Sequence, residues 1–177
     1  MILLSLAMLF FASKSGAAEA APELWALRYG TSTYPAKFVV EGGSGRVDFA
    51  WYLFVLKNKS GITLIDTGFD DPKLVKRFGL NWVSPVSLLS ELNITPAMVN
   101  RIIVTHSHFD HAGMLRSYPN AEIIIASPAL RYLKLEGADT GFLAKRKITS
   151  FSGTFDAGEG ITVEEIGGHA EGSSVVW

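Results

Sequence analysis

Histidine is scarce in this chain and unevenly placed. Of four histidines in 177 residues, three stand at His106, His108 and His111, inside the run Thr105-His106-Ser107-His108-Phe109-Asp110-His111. Asp110 lies between the last two. The fourth, His169, sits in Gly167-Gly168-His169-Ala170-Glu171-Gly172. Imidazoles and a carboxylate gathered this closely are the donor set of a metal site. The chain has no cysteine, so thiolate ligands and a thiol nucleophile are excluded. Nitrogen and oxygen donors suit zinc best, with iron, manganese or cobalt as alternatives. A polar loop rich in histidine by accident is a poor account of the cluster. For His169 alone that bland account would be preferred, and it is the company of the cluster that makes His169 a ligand candidate.

The spacing predicts how the donors are presented. On a helix, residues i and i+2 point roughly 200° apart and cannot grip one ion. In extended chain they project to the same side. His106 and His108 follow Arg101 to Thr105 (RIIVT), a branched apolar run that reads as a strand buried on both faces. An extended loop at that strand's carboxyl end would aim both imidazoles into one cleft, where α/β proteins place ligands. Asp110 and His111 then fall where the loop enters a helix expected over Ala112 to Tyr118. That turn would face them toward a second ion, about 3.5–4 Å from the first in two-metal sites. Asp66, in Ile65-Asp66-Thr67-Gly68, also ends a strand; its residue type fits a site role and a turn equally well.

The positioning elements are readable as interleaved strands and helices. Trp25 to Thr31, Val47 to Lys57, Ile62 to Ile65, Ala121 to Ala126, Ile161 to Ile166 and Ser174 to Trp177 carry strand composition. Asp71-Pro72, Ser84-Pro85, Thr95-Pro96 and Ser127-Pro128 are helix starts, the last running to about Glu136. Gly153 to Gly160 reads as turn-rich loop. Glu41-Gly42-Gly43-Ser44-Gly45 has no Lys-Ser/Thr after it, so it reads as a connecting loop rather than a phosphate cradle. The alternation indicates an α/β fold.

Composition sets the class. Apolar residues make up 48% and charged residues 19%, with a formal net charge of −1, which describes a folded domain. No basic stripe is present to bind nucleic acid, so the expected partner is a small molecule. Ile2 to Ala12 is an apolar run of signal-peptide length, followed by Ala18-Glu19-Ala20 as a cleavage site. No Lys or Arg precedes it, and an uncleaved anchor or a buried N-terminal helix are the alternatives. The expectation is a signal peptide over residues 1–20, one folded domain over 21–177, secreted or periplasmic placement, and no stable membrane association after cleavage.

The H-x-H-x-D-H loop, the Asp66-Thr67-Gly68 strand end and the Gly167-Gly168-His169 loop together resemble the metallo-β-lactamase superfamily. The resemblance implies an αβ/βα sandwich, here its first half and the start of the second. Ala26-Leu27-Arg28-Tyr29-Gly30-Thr31, Ile65-Asp66-Thr67-Gly68-Phe69-Asp70 and Ile166-Gly167-Gly168-His169 with Gly172 are similar to the N-acyl homoserine lactonase family. Carried over, His106, His108 and His169 would hold one zinc ion, and Asp110 and His111 a second. Asp110 would also be the catalytic residue that carries a proton to the leaving alkoxide, and Asp66 would stand behind the ligands and steady the loop.

The implied reaction is ring-opening hydrolysis of N-acyl homoserine lactones, a quorum-quenching activity, by a hydroxide formed when the metal lowers a water's pKa to near 7. In that family a bridging aspartate, a final metal-binding histidine and a carbonyl-polarising tyrosine follow the Gly-Gly-His loop. The resemblance therefore implies a C-terminally incomplete site within these residues. Alternatives are a secreted β-lactamase of the cysteine-free subclass, a glyoxalase-type thioesterase and an inactive metal-binding remnant.

Overall fold

A computed structural model describes residues 21–135 and 141–177. The signal-peptide reading of residues 1–20 lies outside the described residues, as does the end of the Ser127 helix at Glu136. The chain opens with a long hairpin, β1 (Glu23–Pro35) and β2 (Arg46–Asn58), whose two strands pair antiparallel. β2 turns through Lys59-Ser60 into β3 (Gly61–Ile65), again antiparallel. Aromatic and β-branched residues alternate along β2, so Trp51, Leu53 and Val55 face the core while Tyr52 and Phe54 do not.

Short helices then carry the chain across. Asp71 caps α1 (Pro72–Phe78) by accepting from the Lys73 amide at 2.7 Å, and Gly79 ends it in the left-handed conformation. After the two-residue strand β4 (Asn81–Trp82), α2 (Pro85–Glu91) buries Leu89 completely. Thr95-Pro96 starts only a single 3₁₀ turn, Pro96–Met98. Strands β5 (Val99–Val104), β6 (Glu122–Ala126) and β7 (Ile148–Phe151) follow, with α3 (Phe109–Ala112) and α4 (Ser127–Leu135) between them. The large sheet has the order β4-β1-β2-β3-β5-β6-β7, and β3, β5, β6 and β7 run parallel. Parallel neighbours share a carboxyl edge, so residues just past β3 and β5 must lie side by side. Ile102, Ile103 and Val104 are fully buried, as their continuous apolar run requires.

A second, antiparallel sheet has the order β10-β9-β8, formed by β8 (Thr154–Gly158), β9 (Ile161–Glu165) and β10 (Ser174–Val176). Ala157, Ile161 and Val163 belong to the same buried cluster as the residues of the large sheet. The fold is therefore mixed α/β with two sheets around one core. Among the described residues no helix is long and apolar enough to cross a membrane.

Two expectations are corrected. The helix over Ala112 to Tyr118 does not form; α3 is one turn ending at Ala112, and Leu115–Ser117 makes a separate 3₁₀ turn. Gly113 still has helical backbone, but the next amide, that of Met114, donates to Thr67 Oγ1 at 3.1 Å instead of continuing the helix. Gly153 to Gly160 is not loop throughout, since β8 occupies most of it. Phe155 stacks on Phe151 at 5.5 Å and Ala157 is buried, while the glycines cluster at the strand's ends. β4 and β7 are short strands that the sequence analysis does not distinguish from loop.

Candidate metal centre

Parallel pairing brings Asp66 and Thr105 together at the end of β3 and β5. The Asp66 amide donates to the Ile103 carbonyl at 2.9 Å, extending the ladder by one bond. The chain then turns at Asp66 itself, whose φ is 63°, a left-handed conformation that Asp tolerates better than most residues. This turn aims its buried carboxylate back at the loop. Oδ1 accepts from the Thr105 amide at 2.8 Å, and Oδ2 accepts from Thr105 Oγ1 at 2.8 Å and from His111 Nδ1 at 2.7 Å.

These bonds decide which nitrogen of His106 carries the proton. Thr105 Oγ1 spends its single hydrogen on Asp66, so toward His106 Nδ1, 3.2 Å away, it is an acceptor. Nδ1 of His106 therefore bears the hydrogen and Nε2 the lone pair. That Nε2 is buried without a hydrogen-bond partner in a residue only 6% exposed. An orphaned buried acceptor needs an explanation, and a cation supplies one. Burial, then the neighbouring imidazoles, lower the His106 pKa to about 3, so the ring is neutral and able to ligate.

The other donors converge on it. His108 has extended backbone, φ −60° and ψ 152°, and its ring centroid lies 4.7 Å from that of His106. His169 arrives from beyond β9, and its ring lies 4.9 Å from both His106 and His108. One ligand atom from each of the three lies within 4.8 Å of the others. His108 Nδ1 and His169 Nε2 are 3.2 Å apart, close to the separation of about 3.3 Å between two nitrogens on a tetrahedral zinc. The three imidazoles fit one such ion.

Asp110 and His111 form a second pair inside α3, with the His111 ring 3.8 Å from that of His106. His111 Nε2 faces Asp110 Oδ2 at 3.2 Å, while its Nδ1 is held by Asp66. Burial alone would lower the His111 pKa, but hydrogen bonds to Asp110 and Asp66 outweigh it and raise it to about 10. Burial would raise that of Asp110, and its bond to His111 overcomes this and lowers it. Without an ion the pair is thus a half-buried ion pair. The same atoms, with the proton removed, offer a nitrogen and an oxygen to a cation.

The structure brings together every candidate residue that the sequence analysis names. It also shows three residues that analysis passes over. Thr105 bridges Asp66 and two histidines. Thr67 holds the His111 carbonyl through its amide at 2.8 Å and Oγ1 at 2.9 Å. Tyr29 donates its hydroxyl to the Asp110 carbonyl at 2.9 Å. The only sequence signal for the threonines is their place beside Asp66 and His106 at the ends of neighbouring strands. A cavity of about 530 Å3, lined by Leu24, Leu56, Ile65, Ile103, Ile161 and Trp177 among others, lies apart from the histidines.

Residues 45–177 match the family profile described as the metallo-beta-lactamase superfamily. That is most of the chain, and the protein belongs to this superfamily. Among solved structures, a quorum-quenching N-acyl homoserine lactone lactonase is 21% identical with a TM-score of 0.74, over 86% of this chain and 66% of its own. A probable metal-dependent hydrolase from Staphylococcus aureus is 18% identical with a TM-score of 0.72, over 90% and 69%. A dizinc quorum-quenching lactonase in complex with its product N-hexanoyl-homoserine is 16% identical with a TM-score of 0.63, over 90% and 68%. Such likeness shows the shared fold, and this chain spans about two thirds of the length of these structures.

Proposed function

We propose that this chain carries the metal-binding core of a zinc-dependent hydrolase that opens N-acyl homoserine lactones. The observation that carries the reading is the convergence of His106, His108 and His169 on the orphaned, buried Nε2 of His106. These three would hold one ion. Asp110 and His111 would hold a second, with Asp66 keeping His111 Nδ1 protonated so that Nε2 presents its lone pair. Zinc bound there supplies a Lewis acid for a carbonyl and brings a water's pKa to near neutrality. Asp110, half-buried and with a lowered pKa, is an acceptor at neutral pH and would carry a proton from the attacking water to the leaving oxygen. The lactone assignment draws its support from the lactonases of like fold and from the Ala26 to Thr31 segment.

The test is metal analysis of the purified protein, together with hydrolysis of a panel of N-acyl homoserine lactones, β-lactams and thioesters. Zinc uptake with lactone turnover supports the reading. Turnover of β-lactams or thioesters instead would replace the substrate class while keeping the site. Absence of zinc and of iron, manganese and cobalt would leave an inactive remnant. Export is proposed separately, on Ile2 to Ala12 and Ala18-Glu19-Ala20. N-terminal sequencing of exported protein should begin at or near Ala21, and a start at Met1 would favour an anchor.

A further inference from the structure

Tyr29 is placed by an irregularity in β1. Along the hairpin Arg28 faces Tyr52 and Gly30 faces Trp51, so Tyr29 is an extra residue without a cross-strand partner. A bulge of this kind re-aims a side chain, and strands use it beside functional sites. Here two successive residues, Tyr29 and Gly30, are both buried, which unbroken alternation would forbid. The phenol ring packs edge-to-face on Phe69 at 5.9 Å and passes over Gly68, where a Cβ would stand 3.3 Å from the ring. The hydroxyl ends on the carbonyl of Asp110 at 2.9 Å.

That carbonyl would otherwise lack a donor. The amide that a continuing helix would offer it belongs to Met114, and this amide donates to Thr67 Oγ1 at 3.1 Å instead. The next carbonyl, that of His111, is held by Thr67. The single turn α3 is therefore closed by tertiary donors at the two residues whose side chains face each other across the proposed second-ion position. The single hydroxyl hydrogen of Tyr29 is spent on Asp110 and so reaches none of His106, His108 and His169.

We infer that Tyr29 is a positioning residue: its hydroxyl, delivered by the β1 bulge, fixes the turn that presents Asp110 and His111, and it leaves the three-histidine group untouched. The consequence for ion binding rests on the reading of the site proposed above, whereas the consequence for the turn does not.

Tyr29→Phe keeps the ring and deletes only the hydroxyl. In the metal-free chain, hydrogen exchange at the His111 and Ala112 amides should accelerate about tenfold while the amides of β5 and β6 keep their rates. Leu133→Ala, which removes buried packing on α4, serves as the comparison and should not single out the α3 amides. Uniform acceleration, or none, in Tyr29→Phe overturns the proposal. Zinc titration against a chelator is the second readout: the weaker-binding position should lose about tenfold in affinity and the tighter one should change less than about twofold. Selective exchange with unchanged zinc affinity at both positions overturns the link to ion binding. A wild-type chain that exchanges as expected but takes up no zinc fails the functional reading and leaves the positioning role standing.

Discussion

The two groups of donors are held in different ways. Asp110 and His111 are tied at backbone and side chain alike: Tyr29 and Thr67 hold their carbonyls, and Asp66 holds the His111 ring. His169, in contrast, is an exposed side chain whose ring nitrogen lies 3.2 Å from that of His108. Its loop is tied at its base, where the amides of Ile166 and Gly167 both donate to the Ser173 carbonyl and Gly172 packs against Ala129, and by Ser173, whose Oγ accepts from the Ala170 amide at 3.0 Å. Gly167 and Gly168 between them have φ of 67° and 93°. One group is set before any ion arrives, and in the other buried His106 is set too, while exposed His169 is an arm that an ion completes. Preorganised donors lose little freedom on binding, so the rigid group sets the position of the site and the arm sets how tightly it closes.

The largest effect should come from removing a donor of the three-histidine group outright. His106→Ala or His108→Ala deletes a nitrogen of the three-histidine group, and zinc affinity should fall by more than about 100-fold, beyond the range of outer partners. Hydrolysis by the zinc-loaded protein should disappear with it. Undiminished zinc by elemental analysis would show that the group is not the site.

Asp66→Asn attacks the rigid group from behind. Asn tolerates the left-handed backbone at this position, so the turn should survive while the charge that holds His111 is lost. Zinc affinity should fall about 10- to 100-fold, as for other partners of metal-bound histidines. A thermal midpoint that collapses together with affinity would mean that Asp66 supports the fold rather than the ligand.

The metal-free chain should also betray the rigid group in its pH dependence. His111 has a folded pKa raised to about 10, so its contribution is full below the unfolded histidine value of about 6.5 and is lost as pH rises toward 10. His106 has the opposite sign: its folded pKa near 3 makes stability fall as pH drops from about 6.5 toward 3. Urea unfolding across pH should therefore peak near neutrality, and Asp66→Asn should flatten the alkaline limb. An alkaline limb that is already flat in the wild type would remove the His111–Asp66 pair from the account.

The smallest effect tests the arm. A Cβ on Gly168 meets nothing within 4 Å, so Gly168→Ala introduces backbone strain without a clash. The strain is about 1 kcal/mol, which predicts zinc affinity weakened about fivefold and α3 exchange rates unchanged. A change in those rates would mean the two groups are coupled before the ion binds.

Much of this was legible in the residues themselves. The interleaved apolar runs define an α/β chain, and His106-Ser107-His108 after a buried strand defines an extended pair of donors, because both depend on period and spacing alone. Where local pattern misled, close packing was the cause. Ala112 to Tyr118 has helical composition, yet Thr67 packs close enough to take the Met114 amide, and α3 stops after one turn. Gly153 to Gly160 has loop composition, yet Phe155 and Ala157 gain enough from the shared core to make a strand. By itself, then, the sequence determined the type of donor, the absence of thiolate and the strand ends that carry the ligands, since these are properties of residue identity and short-range order. Only the tertiary structure decided that Asp66 meets Thr105 and His111, that Nε2 of His106 is the open atom, and that Tyr29 reaches Asp110 across 81 positions. Those facts arise from parallel pairing of β3 with β5 and from a bulge in β1, and neither leaves a mark on local periodicity.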